Sequence, residues 1–349
     1  MAEARRNDRW VEENMVRIDD EKVAADHTEF VEREKIEEEE RKNQTFLAND
    51  EHNAMSEQDL ENFIKMTKLK TVEFLQFGET TIETWYHSDY PKEYHCRILY
   101  TCPFCLNFYT RQRELESHSE RCEFRSPPGD EIYRDREDHL SVFEFDAKQQ
   151  KNYCENLCYM AKLFLDHKNI QSEIEAFYFY VLCEHKDDGY YPVGYFSKEK
   201  DSEQLNNLSC IMVLPPWQRC GYGKFIIDFS YNLSKIERKQ GTPERPLSDL
   251  GHRTYVSYWT NKILSILLKA NENNEMHTTS IQNIADETGI LPTDIQYILE
   301  SYEILRCHNN KYFMFTETEH LQTILKTKGR AFRSVKPNCI HWVPNNSQI

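Results

Sequence analysis

Residues 207–251 decide the fold, and they read NLSCIMVLPPWQRCGYGKFIIDFSYNLSKIERKQGTPERPLSDLG. The stretch opens with a short apolar run at 208–214, which asparagines precede and two prolines follow. This length and these flanks favour a buried strand over a helix. A polar loop at 218–223 contains two glycines, and the apolar residues after it recur at helical spacing: Phe225, Ile226, Phe229 and Leu233. The stretch therefore predicts a strand, a glycine loop and an amphipathic helix.

The glycine loop has the features of a phosphate site. The first N–H groups of a helix lack internal partners, its dipole favours an anion, and glycines let a ligand approach the backbone closely. The loop is not a Walker A motif, because its glycines are too close together and Lys224 is followed by Phe225. Nor is it a dinucleotide fingerprint, because Ile226 stands three positions after Gly223. The order Gln-Arg-x-Gly-x-Gly between strand and helix resembles the acetyl-CoA pyrophosphate loop of N-acetyltransferases.

Several longer motifs resemble the catalytic domain of MYST-family histone acetyltransferases, and the MOF-type members in particular. They occur in one order along the chain: PPGDEIYR at 127–134, LFLDHK at 163–168, VGYFSKEK at 193–200 and the stretch at 207–251. The resemblance covers roughly residues 67–344, which is most of the chain.

This resemblance implies an α/β (α+β) fold with a GNAT-like acetyltransferase core. It places the catalytic core at 140–260, an N-terminal zinc-finger lobe at 96–124 and a C-terminal helix-turn-helix-like lobe at 261–344. Residues 1–66 form an acidic extension, which we interpret as helical or disordered. Within it, residues 5–18 resemble the last strand and helix of a chromo-barrel.

Four residues have the spacing of a structural zinc site. Cys102 and Cys105 follow a predicted strand, and His118 and Cys122 are four residues apart on a predicted helix at 111–121, so they share a face. Three thiolates and an imidazole make a closed tetrahedral site without an open position for catalysis. Unrelated buried cysteines and a DNA-reading finger are the alternatives. The resemblance implies a finger built into the catalytic domain.

Glu244 is the candidate general base. A lysine ammonium, with a pKa of about 10.4, must lose a proton before it can accept an acetyl group. A carboxylate can take that proton if burial raises its pKa. Glu244 stands between Pro243 and Pro246, whose rigidity suits a fixed catalytic group. From the pattern alone it would be a surface glutamate in a turn; the resemblance places it on the base of the family, with Arg245 where the family has lysine.

Cys210 matches the active-site cysteine of the family. It could form an acetyl-cysteine intermediate, because thiolates attack thioesters readily. It could equally be a small residue packed beside the thioester, since buried cysteines in strands are inert. We favour direct attack by the lysine in a ternary complex.

The resemblance also places the contacts of acetyl-CoA. The backbone of Ile211, Met212 and Val213 would pair with the pantetheine arm. The pyrophosphate would be wrapped by Gln218, Arg219, Cys220, Gly221, Tyr222, Gly223 and Lys224. Ser248 and Ser257 match serines that reach the cofactor, although Ser248 also has the position of a helix N-cap. Cys220 replaces a basic residue of the family motif, which removes one positive charge near the phosphates.

Lys168 ends the helix that carries the LFLDHK motif. A cation there is favoured by the negative end of the helix dipole. The resemblance instead implies a lysine that is autoacetylated close to the substrate pocket, where losing its charge makes burial easier.

The remaining segments predict ordinary elements. Residues 176–183 and 191–196 predict two antiparallel strands joined by 184–189. Residues 278–301 predict a helix, a turn at Gly289 and a second helix with Thr293 as its N-cap. This helix-turn-helix pattern makes DNA binding an alternative function, but the segment contains no lysine or arginine for phosphate contacts. We interpret it as a packing lobe or a lobe beside the substrate.

Composition limits the functional class. The net charge of −16 lies mostly in the first 61 residues and disfavours non-specific nucleic-acid binding. No run of 18 apolar residues and no apolar leader are present, so we expect neither a membrane helix nor a signal peptide. Eleven scattered cysteines favour reduced thiols and an intracellular site.

Together these features predict a nuclear histone lysine acetyltransferase that uses acetyl-CoA and a structural zinc ion. We expect histone tails, with H4 first, and the subunits of a chromatin complex as partners, and no sequence-specific DNA contact. The alternative is a MYST-like scaffold that has weak turnover or none.

Overall fold

The computed structural model describes the following residues: 15–18, 70–166, 174–273, 279–308 and 311–344. The prediction for Lys168 lies outside these residues. So does the prediction for the N-terminal extension, apart from the backbone of residues 15–18.

The described chain forms two compact units. The sheet unit consists of residues 70–226 and 334–344. The helical unit consists of residues 227–333 together with strand β1 (Met15–Ile18).

The N-terminal part of the sheet unit is a four-stranded sheet. Its strands are β2 (Val72–Phe77), β3 (Thr80–Glu83), β4 (Cys96–Thr101) and β5 (Phe108–Tyr109). Their order is β3-β2-β4-β5, and only the pair β2–β4 is parallel. Val72, Leu75 and Leu99 are fully buried in its core. Helix α1 (Gln112–Ser119) follows β5.

An antiparallel five-stranded sheet is the centre of the same unit. Its strands are β6 (Asp130–Asp135), β7 (Leu140–Asp146), β8 (Phe177–Lys186), β9 (Gly189–Glu199) and β11 (Ile211–Val213). Their order is β11-β9-β8-β7-β6, so β11 lies at one edge. Helix α2 (Lys151–Lys162) buries Leu157 and Met160 in the same hydrophobic cluster as Phe145 and Val181. Aromatic and β-branched residues favour these strands, and the apolar face of α2 covers them.

The predicted strand at 208–214 is interrupted. Strand β10 (Asn206–Leu208) ends before Ser209, and β11 begins after Cys210. Ser197 on β9 faces both residues: Ser209 N–H donates to its carbonyl at 2.7 Å, and its own N–H donates to the Cys210 carbonyl at 2.9 Å. Ser209 and Cys210 on one strand therefore lie opposite the single residue Ser197 on the other, which is a β-bulge. The apolar pattern of the sequence does not reveal it.

The connection predicted at 184–189 is also shorter than expected. Strand β8 continues through Glu184 to Lys186, and β9 begins at Gly189. The turn is therefore confined to Asp187 and Asp188, because paired strands extend their ladder up to the tightest turn that the chain allows.

The C-terminal residues 334–344 return to the central sheet. Ile340 pairs with Tyr133 on β6, and Trp342 Nε1 donates to Glu144 on β7 at 3.0 Å. Lys336 Nζ lies 2.8 Å from the buried carboxylate of Asp135. These contacts fasten the segment along the outer strand of the sheet.

The helical unit contains the remaining helices. They are the larger part of α3 (Tyr222–Ile236), then α4 (Asp249–Glu272), α5 (Ile281–Thr288), α6 (Pro292–Ser301) and α7 (Thr318–Thr327). Helix α4 packs against α5, α6 and α7, and its Trp259 donates to the Tyr231 hydroxyl of α3 at 2.9 Å. None of the described helices is long and apolar enough to cross a membrane.

Short strands complete the helical unit. Strand β12 (Thr242–Pro243) lies between α3 and α4, while β13 (Leu305–His308) and β14 (Lys311–Phe315) form a hairpin. Strand β1 pairs antiparallel with β14, so this sheet has the order β1-β14-β13.

The helix-turn-helix pattern is confirmed with one correction. Gly289 ends α5 with a φ of 76°, the left-handed conformation that favours glycine. The predicted N-cap at Thr293 is wrong, because α6 begins at Pro292 and Leu291 is its N-cap residue. Proline is favoured at the first position of a helix, where its fixed φ fits and no N–H is needed. The two units together confirm the α/β (α+β) class.

Candidate functional site

The four predicted zinc ligands come together in the sheet unit. The ligand atoms of Cys102, Cys105, His118 and Cys122 all lie within 4.8 Å of one another. Cys102 Sγ is 3.9 Å from Cys122 Sγ, and Cys105 Sγ is 3.2 Å from His118 Nε2. A tetrahedron with metal bonds of about 2.0–2.3 Å has edges of about 3.3–3.8 Å, so the set fits a structural zinc ion.

Local backbone geometry explains this convergence. Leu106 adopts a φ of 59° and donates its N–H to the Cys102 carbonyl at 3.0 Å, which turns the first cysteine pair into a knuckle. Helix α1 ends at Ser119, two residues before the predicted end, so Cys122 follows the helix. Its N–H still donates to the His118 carbonyl at 2.7 Å, and the helical spacing of the second pair is retained.

The thiols of the first knuckle are coupled. The hydrogen bond from the Cys105 side chain lowers the pKa of Cys102 to about 5. The same bond raises the pKa of Cys105, so one sulfur of this pair is the thiolate, which is the form that binds a metal. None of the eleven cysteines, all of which are described, forms a disulfide, as expected for reduced thiols.

The glycine loop leads directly into the N-terminus of α3. Gly221 has a φ of 93°, and a Cβ added there would meet no atom within 4 Å, so space adjoins the loop. The Phe225 N–H, which donates to the Gly221 carbonyl at 3.1 Å, makes the first bond of the helix. In α-helices generally, the first N–H groups have no acceptor within the helix. This arrangement suits a bound anion, as the sequence predicted.

One carboxylate fixes both sides of the glycine loop. Trp217 Nε1, at the end of the turn Pro215–Trp217, donates to Glu184 Oε2 at 3.3 Å. The hydroxyl of Tyr222, the first residue of α3, donates to the other oxygen of Glu184. The Tyr222 side chain is therefore buried against β8, and its backbone remains at the helix start. Sequence reasoning missed Glu184, because it placed this residue in a connection.

Strand β11 has the geometry to pair with an extended ligand. Met212 pairs with Tyr195 of β9. The Cys210 carbonyl and the Leu214 N–H, two residues to either side, also form hydrogen bonds with β9. By alternation, the backbone groups of Ile211 and Val213 point to the outer edge of the sheet. Gln218 Nε2 donates to the Val213 carbonyl at 3.0 Å and so braces the strand, and its phosphate contact stays a prediction.

Cys210 occupies the bulge before this edge strand. It is half-buried, and its N–H donates to the Ser197 hydroxyl at 3.2 Å. A bulge redirects the side chains beside it and turns backbone groups out of the ladder. The prediction of a cysteine within a continuous strand is corrected to a cysteine at a break in the strand.

The other predicted residues lie in the helical unit. Glu244 follows β12 and is exposed, whereas the sequence predicted a buried carboxylate. Ser248 is the N-cap of α4 and accepts from the Gly251 N–H at 3.1 Å. Ser257 donates to the Lys328 carbonyl at 2.7 Å. Both serines thus have protein partners, and their cofactor contacts stay predictions.

Two family models match the chain. The MOZ/SAS family matches residues 126–340, and the MYST family zinc finger domain matches residues 69–122. The second match contains all four residues of the Cys/His cluster.

Named relatives agree with these models. "Histone acetyltransferase of the MYST family 2" of Arabidopsis thaliana and "Putative MYST-like histone acetyltransferase 1" of Oryza sativa subsp. japonica are each 45% identical over 298 residues. Those alignments cover 85% of this chain and 65% of each relative. "Histone acetyltransferase esa-1" of Neurospora crassa is 38% identical over 285 residues, which are 81% of this chain and 56% of that protein. The chain thus spans less than two thirds of the length of each of these relatives.

Proposed function

The chain belongs to the MOZ/SAS family and carries the MYST zinc finger ahead of that domain, and from this membership we propose that it is a protein-lysine acetyltransferase. It takes the acetyl group from acetyl-CoA and places it on a lysine of a histone tail. The observation that carries the proposal is the open glycine loop at the start of α3, preceded by a bulged edge strand. The diphosphate of acetyl-CoA would bind at the loop, and its pantetheine arm would extend along β11.

The reaction follows from the chemistry of the amine. Glu244 takes a proton from the lysine ammonium, and the neutral nitrogen attacks the carbonyl carbon of the thioester. The carbon–sulfur bond then breaks, and the nitrogen gives up a second proton as it becomes the amide. That proton goes to the departing thiolate of CoA, which leaves as the thiol, and Glu244 returns its own proton to water after the product leaves. Because Glu244 is exposed, we infer that the bound histone tail covers it during turnover. Removing water from a carboxylate raises its pKa towards working pH.

Cys210 assists without a covalent step in this proposal. Its place in the bulge, beside the buried Ser197, makes it a small residue next to the expected thioester. Cys210→Ala should therefore retain at least a tenth of the wild-type kcat and bind acetyl-CoA normally. The kcat measured with a histone peptide tests this. Complete loss of turnover with intact acetyl-CoA binding would instead support an acetyl-cysteine intermediate.

We propose histone H4 tails as the first substrate, a MOF-type placement within the family and a nuclear site of action. Subunits of a chromatin complex are the proposed partners. Acetylation of Lys168 is proposed as a modification that removes a charge near the substrate. The relatives are named as histone acetyltransferases, which supports the substrate class.

Radiolabelled acetyl-CoA with core histones tests the function. The wild-type chain should label histones, and Glu244→Gln should reduce the rate at least a hundredfold while still binding acetyl-CoA. Thermal stabilisation by acetyl-CoA without label on any histone would favour the scaffold. Absence of both binding and transfer would reject the acetyltransferase.

A further inference from the structure

The helix-turn-helix segment, α5 and α6 with their turn, contacts the strand that leads to Glu244. The Gly241 N–H donates to the Gly289 carbonyl at 2.8 Å, and the Leu291 N–H donates to the Gly241 carbonyl at 3.2 Å. Gly241 and Ile290 thereby form a parallel bridge. The turn between α5 and α6 thus binds the backbone of Gly241, three residues before Glu244.

A buried carboxylate on α6 also binds the loop on both sides of Glu244. Asp294 is fully buried and accepts from two side chains of the loop. Its Oδ2 accepts from Thr242 Oγ1 at 2.8 Å, and its Oδ1 accepts from Arg245 Nη2 at 2.9 Å. Thr242 stands two residues before Glu244, and Arg245 stands directly after it. One carboxylate therefore bridges the loop on both sides of the proposed base.

The side chain of Glu244 has no comparable support. Within the described residues it makes no hydrogen bond or ion pair, and it is exposed. Its position is consequently set by the backbone of the loop. That backbone is held by the proline before it and by the two side chains that reach Asp294.

We propose that the helix-turn-helix segment supports the catalytic loop and that Asp294 is the positioning residue at its centre. This inference rests on the proposed function, because it assumes that Glu244 is the base. A charged hydrogen bond to a buried carboxylate is among the strongest polar contacts in a protein. A displacement of about 1 Å in a reacting group can reduce a rate about a hundredfold. Asp294 therefore influences turnover through Glu244 without touching the substrate.

Asp294→Asn tests the inference. The amide retains the size of the side chain and removes the charge that holds Arg245. We expect kcat for a histone tail peptide to fall roughly tenfold to a hundredfold, while the Kd of acetyl-CoA stays within twofold. Asp286→Asn is the matched control: Asp286 is exposed on α5 and accepts from Gln240 Nε2 at 2.9 Å, outside the Asp294 cluster. The Asp286→Asn variant should keep the wild-type kcat.

A double-mutant cycle separates positioning from general damage. If Asp294 acts through Glu244, the double variant Glu244→Gln/Asp294→Asn should be no slower than Glu244→Gln alone. A merely structural role would multiply the two losses, and that result would overturn the inference. Wild-type kcat in Asp294→Asn, with Glu244→Gln at least a hundredfold slower than the wild type, would overturn it and leave the proposed function intact. Full activity of Glu244→Gln would reject the base itself.

Thr242→Val keeps the test decisive if Asp294→Asn does not fold. It removes one donor to Asp294 and retains the ion pair with Arg245. We expect a threefold to tenfold lower kcat, and again no further loss when it is combined with Glu244→Gln. Unchanged kcat in a folded Thr242→Val would contradict the positioning role.

Discussion

At the scale of single residues, Cys220 is the clearest departure from the family motif. It is exposed in the glycine loop, and its thiol lies 3.5 Å from the Gln218 carbonyl. The resemblance places a basic residue there. The chain therefore lacks one positive charge next to the site where the diphosphate is expected.

Cys220→Arg should lower the Kd of acetyl-CoA by roughly threefold to tenfold, because a guanidinium forms strong bonds to phosphate. Calorimetric titration at low and high salt measures it, and the gain should shrink as salt screens the charge. Cys220→Ser, which adds no charge, serves as the control. An unchanged Kd for the arginine variant would mean that this position does not reach the phosphates.

At the scale of elements, the glycine loop depends on a strand that precedes it by more than thirty residues. Glu184 on β8 holds Trp217 and Tyr222, the two residues that flank the loop. The loop residues Arg219 and Gly221 both have a left-handed φ, of 63° and 93°. Such a backbone keeps its shape only when its ends are fixed.

Glu184→Gln should raise the Kd of acetyl-CoA by roughly threefold to tenfold, because an amide has one acceptor oxygen and its NH2 group cannot accept from the second donor. Tyr222→Phe should produce a smaller increase. Glu199→Gln, near the end of β9, is a control of the same chemistry that leaves the loop contacts in place. If Glu184→Gln bound acetyl-CoA like the wild type, the loop would be fixed by other contacts.

The elements also show what the sequence could predict. The zinc spacing, the glycine loop and the turn at Gly289 are local patterns, and each is present in the structure. The bulge at Cys210 was missed, because it depends on Ser197 in another strand. The roles of Glu184 and Asp294 were missed for the same reason: the partners are 33 to 52 residues away along the chain, and neither residue has a local signature.

At the scale of the whole molecule, the residues named in the proposed reaction are divided between the two compact units. The glycine loop, the edge strand and Cys210 belong to the sheet unit, while Glu244 and Asp294 belong to the helical unit. The family model covers residues of both units, from 126 to 340. Family resemblance predicted Glu244 as the base within a catalytic core at 140–260, and physical reasoning from residues alone could not, since a glutamate in an exposed turn has no distinctive pattern.

The most direct test of the acetyltransferase assignment is tandem mass spectrometry of a histone H4 tail peptide after incubation with the chain and acetyl-CoA. We predict that the wild-type chain adds acetyl groups to lysine side chains of the peptide. Glu244→Gln, saturated with acetyl-CoA, should add at least a hundredfold less in the same time. An unmodified peptide in the presence of wild-type chain with bound acetyl-CoA, or equal acetylation by both proteins, would contradict the account.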